Sequence, residues 1–413
     1  MAKVLVIADD FTGALDTAIQ FSKYGLETVA YTSGKAFLER GAGSEQVCVV
    51  NTDTRHSRSA DAYTAVHSIA AASCASGVRC IYKKTDSALR GNVGKELEAV
   101  LDAAGGGTLY FAPAYPKNQR FTRDGVQYYR ELPISETEYG HDPIEPMTCS
   151  DIAQIVAQQS TVPVLRHPAD TEDFAEFILL WDAENERHLD TVCSAALAQQ
   201  ARPVLLAGCA GLAEHLAQHI GTEQTVHRTL PTVSKVLLVS GSLNPTSMAQ
   251  MAWAKSKGCP CISLRETAEL TTAFQETPDY DALICRAKDM LAQHGVLLLE
   301  PTAAMDEDSC RRRRTAEDCK APAAAIGSIT RDILVDEEDY SLVVFGGDTL
   351  QAVTDRLFCG EIEPLLEIRT GIPLSLAVDR QGREHVIVTK SGGFGDENVI
   401  ETICEYLESE GSI

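Results

Sequence analysis

Residues 4–8 read VLVIA, apolar at every position, and run directly into Asp9 and Asp10 before a helical pattern begins. A strand without polar alternation is buried on both faces, as in a parallel sheet covered by helices. The unit recurs. Strands are predicted over 3–8, 26–31, 46–50, 79–84 and 108–112, with helices over 12–24, 59–76 and 91–104 between them. Parallel neighbours need crossovers, so this alternation predicts an α/β fold with a mainly parallel sheet. Residues 113–148, rich in Pro, Gly, Tyr and charge, read as a long functional loop.

At 413 residues the chain exceeds one ordinary core, and two α/β domains are expected. The boundary is placed within the polar, aperiodic stretch 221–234, giving domains 1–228 and 229–413. The second series is predicted as strands at 235–240, 295–300 and 341–345, with helices at 245–257, 279–293, 321–336, 348–358 and 396–408. Short strands are expected within 365–389.

The net charge of −23 argues against a general nucleic-acid or anionic-membrane binder, although a local basic cluster can still hold a small anion. No apolar run reaches 18 residues, and MAKVLVIADD, a strand carrying aspartates, lacks the long apolar run and small-residue cleavage site of a signal peptide. The 13 scattered cysteines read as reduced thiols, and a cytoplasmic location is expected. Cys259 and Cys261 form a C-P-C with no second pair, a weak zinc signal. His215 and His219 stand four apart on a helix without a companion carboxylate, which reads as a polar face. The run RRRR at 311–314 reads as a solvated loop or helix end.

Three strands of the second half end in Gly-rich turns: Ser240-Gly241-Ser242, Gly346-Gly347-Asp348-Thr349, and Lys390-Ser391-Gly392-Gly393-Phe394-Gly395. Backbone N–H groups at such turns bind anions, and ligands of this fold class sit at the carboxyl edge of the sheet. Together the turns predict a nucleotide polyphosphate site. There is no GxxxxGK[ST] and no GxGxxG after a strand, so neither standard phosphate loop serves here.

The first half brings Asp9, Asp10, Arg55, Arg58, Lys83, Lys84, Asp86, Ser87 and Arg90 to strand ends, and the long segment adds Lys117, Arg120 and Arg123. Arginine pairs with carboxylate, while ionised aspartate accepts from hydroxyls. A ligand with an anionic end and several hydroxyls satisfies both, and a sugar acid is such a ligand. Two other readings stand beside it: a hydrolase or phosphatase using the N-terminal aspartates, and a non-catalytic sugar-acid or nucleotide sensor.

The stretches ADDFTGALDTA, TDTR, YKKTDSALRGNVGKELEA, PAYPKNQRFTRDG, GSLNP, GGDT and KSGGFGD, in this order, resemble the four-carbon acid sugar kinase family. The resemblance spans nearly the whole chain, with Ala88 standing where the family more often has Thr. It implies an N-terminal acid-sugar domain, a C-terminal ATP domain and a cleft between them, with phosphoryl transfer to the 4-hydroxyl of D-threonate, D-erythronate or a 3-oxo-tetronate. Carried over by motif, Asp10, Arg55 and the Lys84–Arg90 stretch serve substrate. Ser242, the 346–349 turn and the 391–395 turn serve ATP. The expected cofactors are ATP and Mg²⁺, with Asp348 as metal partner and Lys390 offsetting phosphate charge. Asp10 or Asp86 is the expected proton acceptor, Asp9 contacts the acceptor, and Arg55, Arg90 or Arg120 pairs with its carboxylate. The expected partners are the two small molecules, with no nucleic acid, no membrane, and a homodimer left open.

Overall fold

A computed structural model describes residues 3–41, 43–142, 145–166, 174–199, 203–222, 228–242, 244–265, 269–271, 273–301, 316–390 and 393–411. Ser391, Gly392 and the RRRR run lie outside the described residues. The chain divides into two compact units, Met1–Val226 and His227–Ile413.

The strands of the first unit are β1 (Val4–Ala8), β2 (Thr28–Tyr31), β3 (Val47–Asn51), β4 (Cys80–Lys84), β5 (Gly107–Ala112), β6 (Arg120–Arg123), β7 (Val126–Tyr129), β8 (Leu132–Pro133), β9 (Val164–Leu165), β10 (Glu176–Leu180) and β11 (Val204–Gly208). Eight of them form an all-parallel sheet in the order β2-β3-β1-β4-β11-β5-β10-β9. All five residues of β1 are buried, as expected of a strand covered on both faces. The chain builds first to one side of β1 and then, from β4, to the other. That reversal marks where ligands of this fold class bind.

The segment 113–148 is no loop. It holds β6, β7 and β8 as a small antiparallel sheet. Asp124 (φ 52°) and Gly125 (φ 74°) both occupy the left-handed region at the β6–β7 turn. An Asp-Gly pair suits that backbone, because its twist matches the flanking strands. A second departure is the unforeseen helix Gly34–Arg40, whose N-cap Ser33 accepts from the Ala36 amide at 3.1 Å.

The second unit contains β12 (Lys235–Ser240), β13 (Cys261–Leu264), β14 (Val296–Pro301), β15 (Tyr340–Phe345), β16 (Phe358–Arg369), β17 (Ile372–Asp379) and β18 (Glu384–Lys390). Their order is β13-β14-β12-β15-β18-β17-β16; the first five run parallel, while β18, β17 and β16 alternate in direction. The strands expected to be short within 365–389 are long ones in an antiparallel ribbon, turned at Gly371 (φ 74°) and Gly382 (φ 85°). Gly327 lets the helix Ala316–Leu334 press against the helix Gly347–Leu357: a Cβ there would lie 2.7 Å from the Ala352 carbonyl. That contact seats the helix carrying Asp348 and Thr349.

Among the described residues every cysteine is a free thiol, and no group of three metal-ligating side chains occurs. No described helix is long and apolar enough to cross a membrane.

Candidate active site

Parallel strands in register end level, which collects distant residues on one edge. In the first unit, Ala8 pairs with Asn51 and with Lys84, Lys84 with Gly208, and Gly208 with Ala112. The residues that follow each strand therefore meet: Asp9-Asp10, Thr52–Arg55, Thr85–Arg90 and Cys209.

Asp10 caps the helix Phe11–Ser22. Its carboxylate accepts from the Gly13 amide (3.2 Å) and the Thr12 hydroxyl (2.8 Å). Arg55 is the hub. Its Nε donates to Asp9 (2.8 Å), its Nη1 and Nη2 reach Asp10 (3.1 and 2.8 Å), and Asp86 stands 3.7 Å away. Burial pushes the Asp9 carboxyl up, and Arg55, Lys83 and Lys84 more than reverse it, leaving it below its usual value. Asp9 Oδ1 is buried and has no hydrogen-bond partner among the described residues. A carboxylate oxygen in that state calls for a donor from outside the chain. Gly13 gives the pocket its closeness: a Cβ there would lie 2.3 Å from Asp10 Oδ1 and 2.9 Å from Lys84 Nζ.

Asp86 is locked. Arg90 donates to both of its oxygens (2.8 and 3.1 Å), and the amides of Ala88 and Arg90 donate to Oδ2. Burial is outweighed by Arg90 and Arg55, so its carboxyl lies well below the usual range. A carboxylate held so far below its usual range is a poor proton acceptor. The turn holding it is strained, with Leu89 at φ 63°, and Asp53 (φ 50°) precedes Arg55 in the same way. Arg90 also reaches Asp142 at 2.9 Å.

Lys84 is buried and donates to the Thr85 carbonyl (2.8 Å); Asp9 and Asp10 overcome its burial and raise its pKa. Ser87 contributes its carbonyl to Gln127 (3.2 Å). Arg120 lies over the ring of Tyr129 at 4.7 Å and over that of Tyr139 at 5.5 Å, with its Nε buried and unpartnered. Tyr139 also carries Arg90 at 5.6 Å. Three cations drop out of the expected set into ordinary pairs: Arg58 with Asp61, Arg123 with Glu184 and Lys117 with Glu214. His215 and His219 pair with Glu186 and Asp190, each at 2.9 Å, and His215 is buried rather than part of a polar face.

Glu96 and Thr54 went unforeseen. Fully buried Lys83 donates to Glu96 at 2.9 Å, and the Thr54 hydroxyl donates to the other Glu96 oxygen. The Thr54 and Arg55 amides donate to the Asp9 carbonyl at 3.0 and 3.2 Å. Burial pushes the Glu96 carboxyl up, aided by Asp9 and opposed by Lys83. A glutamate in the first turn of a helix is ordinary helix chemistry, so no sequence signal marks this one.

The second unit repeats the level edge. Ser240 pairs with Phe345 and Phe345 with Lys390, so the turns after β12, β15 and β18 start from one row. Gly241 lies against Thr349: a Cβ there would meet its Oγ1 at 2.0 Å. Gly346 (φ 105°) has backbone that only glycine adopts easily, and a Cβ on it would lie 3.5 Å from the Ser242 amide. The helix Gly347–Leu357 has no side-chain N-cap, which leaves its first-turn amides for a ligand; Asp348 in that turn is exposed. Gln250 holds the last turn by donating to the carbonyls of Phe394, Gly395 and Asp396, each at 3.0 Å, and the Phe394 ring occupies the space a Cβ on Gly371 would need. Gly393 has open space around it. Lys390 is fully buried, donates to Ser247 Oγ at 3.0 Å, and is pushed down to about 7 by burial.

Residues 4–216 match a family model for a sugar-binding N-terminal domain, and residues 237–400 one for a nucleotide-binding C-terminal domain. The chain is 30% identical to a D-threonate kinase of Bordetella bronchiseptica, covering 96% of this chain and 95% of that one. It is 29% identical to a D-threonate kinase of Salmonella typhimurium (98% of each) and 24% identical to a D-erythronate kinase of Heliobacterium modesticaldum (98% and 97%). A solved structure of Haemophilus influenzae protein HI1011 superposes with a TM-score of 0.70 at 20% identity, covering 98% of this chain and 100% of that one, and shares the fold.

Proposed function

We propose that this chain, which belongs to the four-carbon acid sugar kinase family, transfers the terminal phosphoryl group of ATP to the 4-hydroxyl of a four-carbon sugar acid. Its place in that family makes it a phosphotransferase. The observation that carries the finer reading is the level strand row in each unit. One row presents an aspartate–arginine cluster with an unsatisfied carboxylate oxygen. The other presents three glycine turns and a buried lysine.

In this reading the first unit holds the acceptor. Asp9 Oδ1 takes a hydrogen bond from a substrate hydroxyl, and Arg120 pairs with the substrate carboxylate through its uncommitted Nε. Asp10 orients the reacting hydroxyl and accepts its proton, since its side chain is 20% exposed against 8% for Asp86. The second unit holds the polyphosphate on the amides of the Ser240–Ser242 and Gly346–Thr349 turns. Lys390 offsets its charge. Phosphoryl transfer asks chiefly for such positioning and charge neutralisation. Mg²⁺ fits the donor set as an ion sharing one carboxylate, Asp348, with substrate phosphates, and would neutralise charge on the transferring group. Excluding water from the transferring group would keep ATP from hydrolysis.

ADP release on a panel of D-threonate, D-erythronate and 3-oxo-tetronates with Mg-ATP tests the reading. A folded protein that turns over none of them overturns it. Asp348→Asn is expected to raise the KM for Mg-ATP about tenfold and to make turnover more dependent on free Mg²⁺. Unchanged values would remove Asp348 from the metal site.

Lys390 makes a separate prediction. With its pKa lowered to about 7, much of it is neutral at mildly alkaline pH, and a bound polyphosphate favours the charged form. Nucleotide binding at about pH 8 should therefore take up a fraction of a proton, seen as heats that differ between buffers of different ionisation enthalpy. Lys390→Met should abolish the difference. Without ligand the sign is also set: above about pH 7 and below the ordinary lysine value, the unfolded chain binds the extra proton, so stability from this group rises with pH.

A further inference from the structure

The second unit has a pocket of about 280 Å³ at the end of its sheet opposite the glycine turns. Tyr340, the first residue of β15, lines it, whereas the turns follow Phe345 at the other end of that strand. Four of the eleven lining residues are arginines: 331, 356, 380 and 383. That runs against the grain of a chain with 59 acidic and 36 basic residues.

Two of the four are neutralised by carboxylates. Arg383 pairs with Asp379 and Arg331 with Asp332, each at 2.7 Å. The other two are anchored differently. Arg356 donates to Ser328 Oγ (3.2 Å) and the Ala352 carbonyl (2.7 Å), and Arg380 donates to the Asp355 carbonyl (2.8 Å). Among the described residues no carboxylate forms an ion pair with either guanidinium. The carbonyl anchors hold them in place and commit only part of their five N–H groups each. Two carboxylates also line the pocket: Asp379 is shared between Arg383 and His385, and the exposed Asp355 accepts from Gln351 (2.8 Å). Leu334, Leu357 and Tyr340 are buried and supply an apolar floor.

We propose that this pocket is a second anion site, which binds a compact phosphate dianion, free or as the monoester of a small alcohol. Two fixed guanidiniums match the several oxygens of a phosphate. The apolar floor and the volume leave room for a stem of a few carbons. The site is separate from the nucleotide turns and does not depend on the assignment of the acceptor.

The test is calorimetric titration of the full-length chain with inorganic phosphate and with glycerol 3-phosphate, with the nucleotide site saturated by Mg-ADP. One ligand per chain is expected to bind. Arg356→Ala/Arg380→Ala should weaken binding at least about tenfold. Gln381→Glu, which adds a charge at an exposed lining position, should weaken it in the same direction and decides the matter if the double variant does not fold. Tighter binding of glycerol 3-phosphate points to a monoester, and equal affinity to free phosphate. No binding up to about 10 mM, loss of binding with Mg-ADP, or equal affinity in the folded variants overturns the site.

Discussion

Replacing Arg55 with alanine is expected to cut kcat/KM for the sugar acid by about a hundredfold to a few thousandfold. The residue binds Asp9 and Asp10 directly and stands 3.7 Å from Asp86. Removing it leaves buried carboxylates without their main counter-charge, a loss of about 3–5 kcal/mol for a broken buried pair. At about 1.4 kcal/mol per factor of ten, that range spans these factors. Lysine should not rescue it, because one ammonium cannot span Asp9 and Asp10 as a guanidinium does. Nucleotide affinity, measured by titration, should be unchanged, since the glycine turns belong to the other unit. A variant with normal kinetics would remove Arg55 from the site. The same cluster fixes the acid limb of stability. Asp9 and Asp86 have folded pKa values below their usual ones. Their contribution is therefore complete above about pH 4 and lost as pH falls through the depressed values. Arg55→Ala should move acid unfolding to higher pH.

Glu96→Ala is expected to be the most destabilising single change in the first unit. Lys83 is fully buried and its carboxylate partner is Glu96, at 2.9 Å. An unpaired buried ammonium costs about 3–5 kcal/mol, read as a lower urea midpoint. The effect should reach the acceptor site through Thr54, whose hydroxyl bonds Glu96 and whose amide bonds the Asp9 carbonyl. Folded Glu96→Ala should show a raised KM for the sugar acid with an unchanged KM for nucleotide. Glu96→Gln keeps the acceptor for Thr54 and loses the charge, so it should recover the KM more than the stability. Equal losses in both KM values would reduce Glu96 to a purely structural role.

Much of this arrangement is legible along the chain. The apolar runs VLVIA, VCVVN and YSLVVF mark buried strands, and the alternation with helices marks the parallel sheets. The Asp-Gly at 124–125 was an available hairpin signal within what reads as a loop. The acidic and basic residues at strand ends could be collected from topology alone. Their division of labour could not. Arg58, Arg123 and Lys117 have the same chemistry as Arg55, yet each finds a partner away from the aspartate cluster. Asp86 and Asp10 look equivalent in sequence and each is gripped by both ends of a guanidinium, Asp86 by Arg90 and Asp10 by Arg55; only the deeper burial of Asp86 separates them.

The sequence by itself determined the α/β class, the strand ends that gather on each carboxyl edge, and the separation of an acid- and arginine-bearing edge in one half from a glycine-rich edge in the other. These follow from periodicity and residue chemistry, which are local. Tertiary structure alone decided that Lys83 and Glu96 are a buried pair beneath Asp9, that Asp9 keeps one oxygen unpartnered, and that Lys390 sits low enough in the protein to lose its proton near neutrality. Burial and charge pairing depend on which distant segments share a volume, and no spacing along a chain encodes the dielectric around one atom.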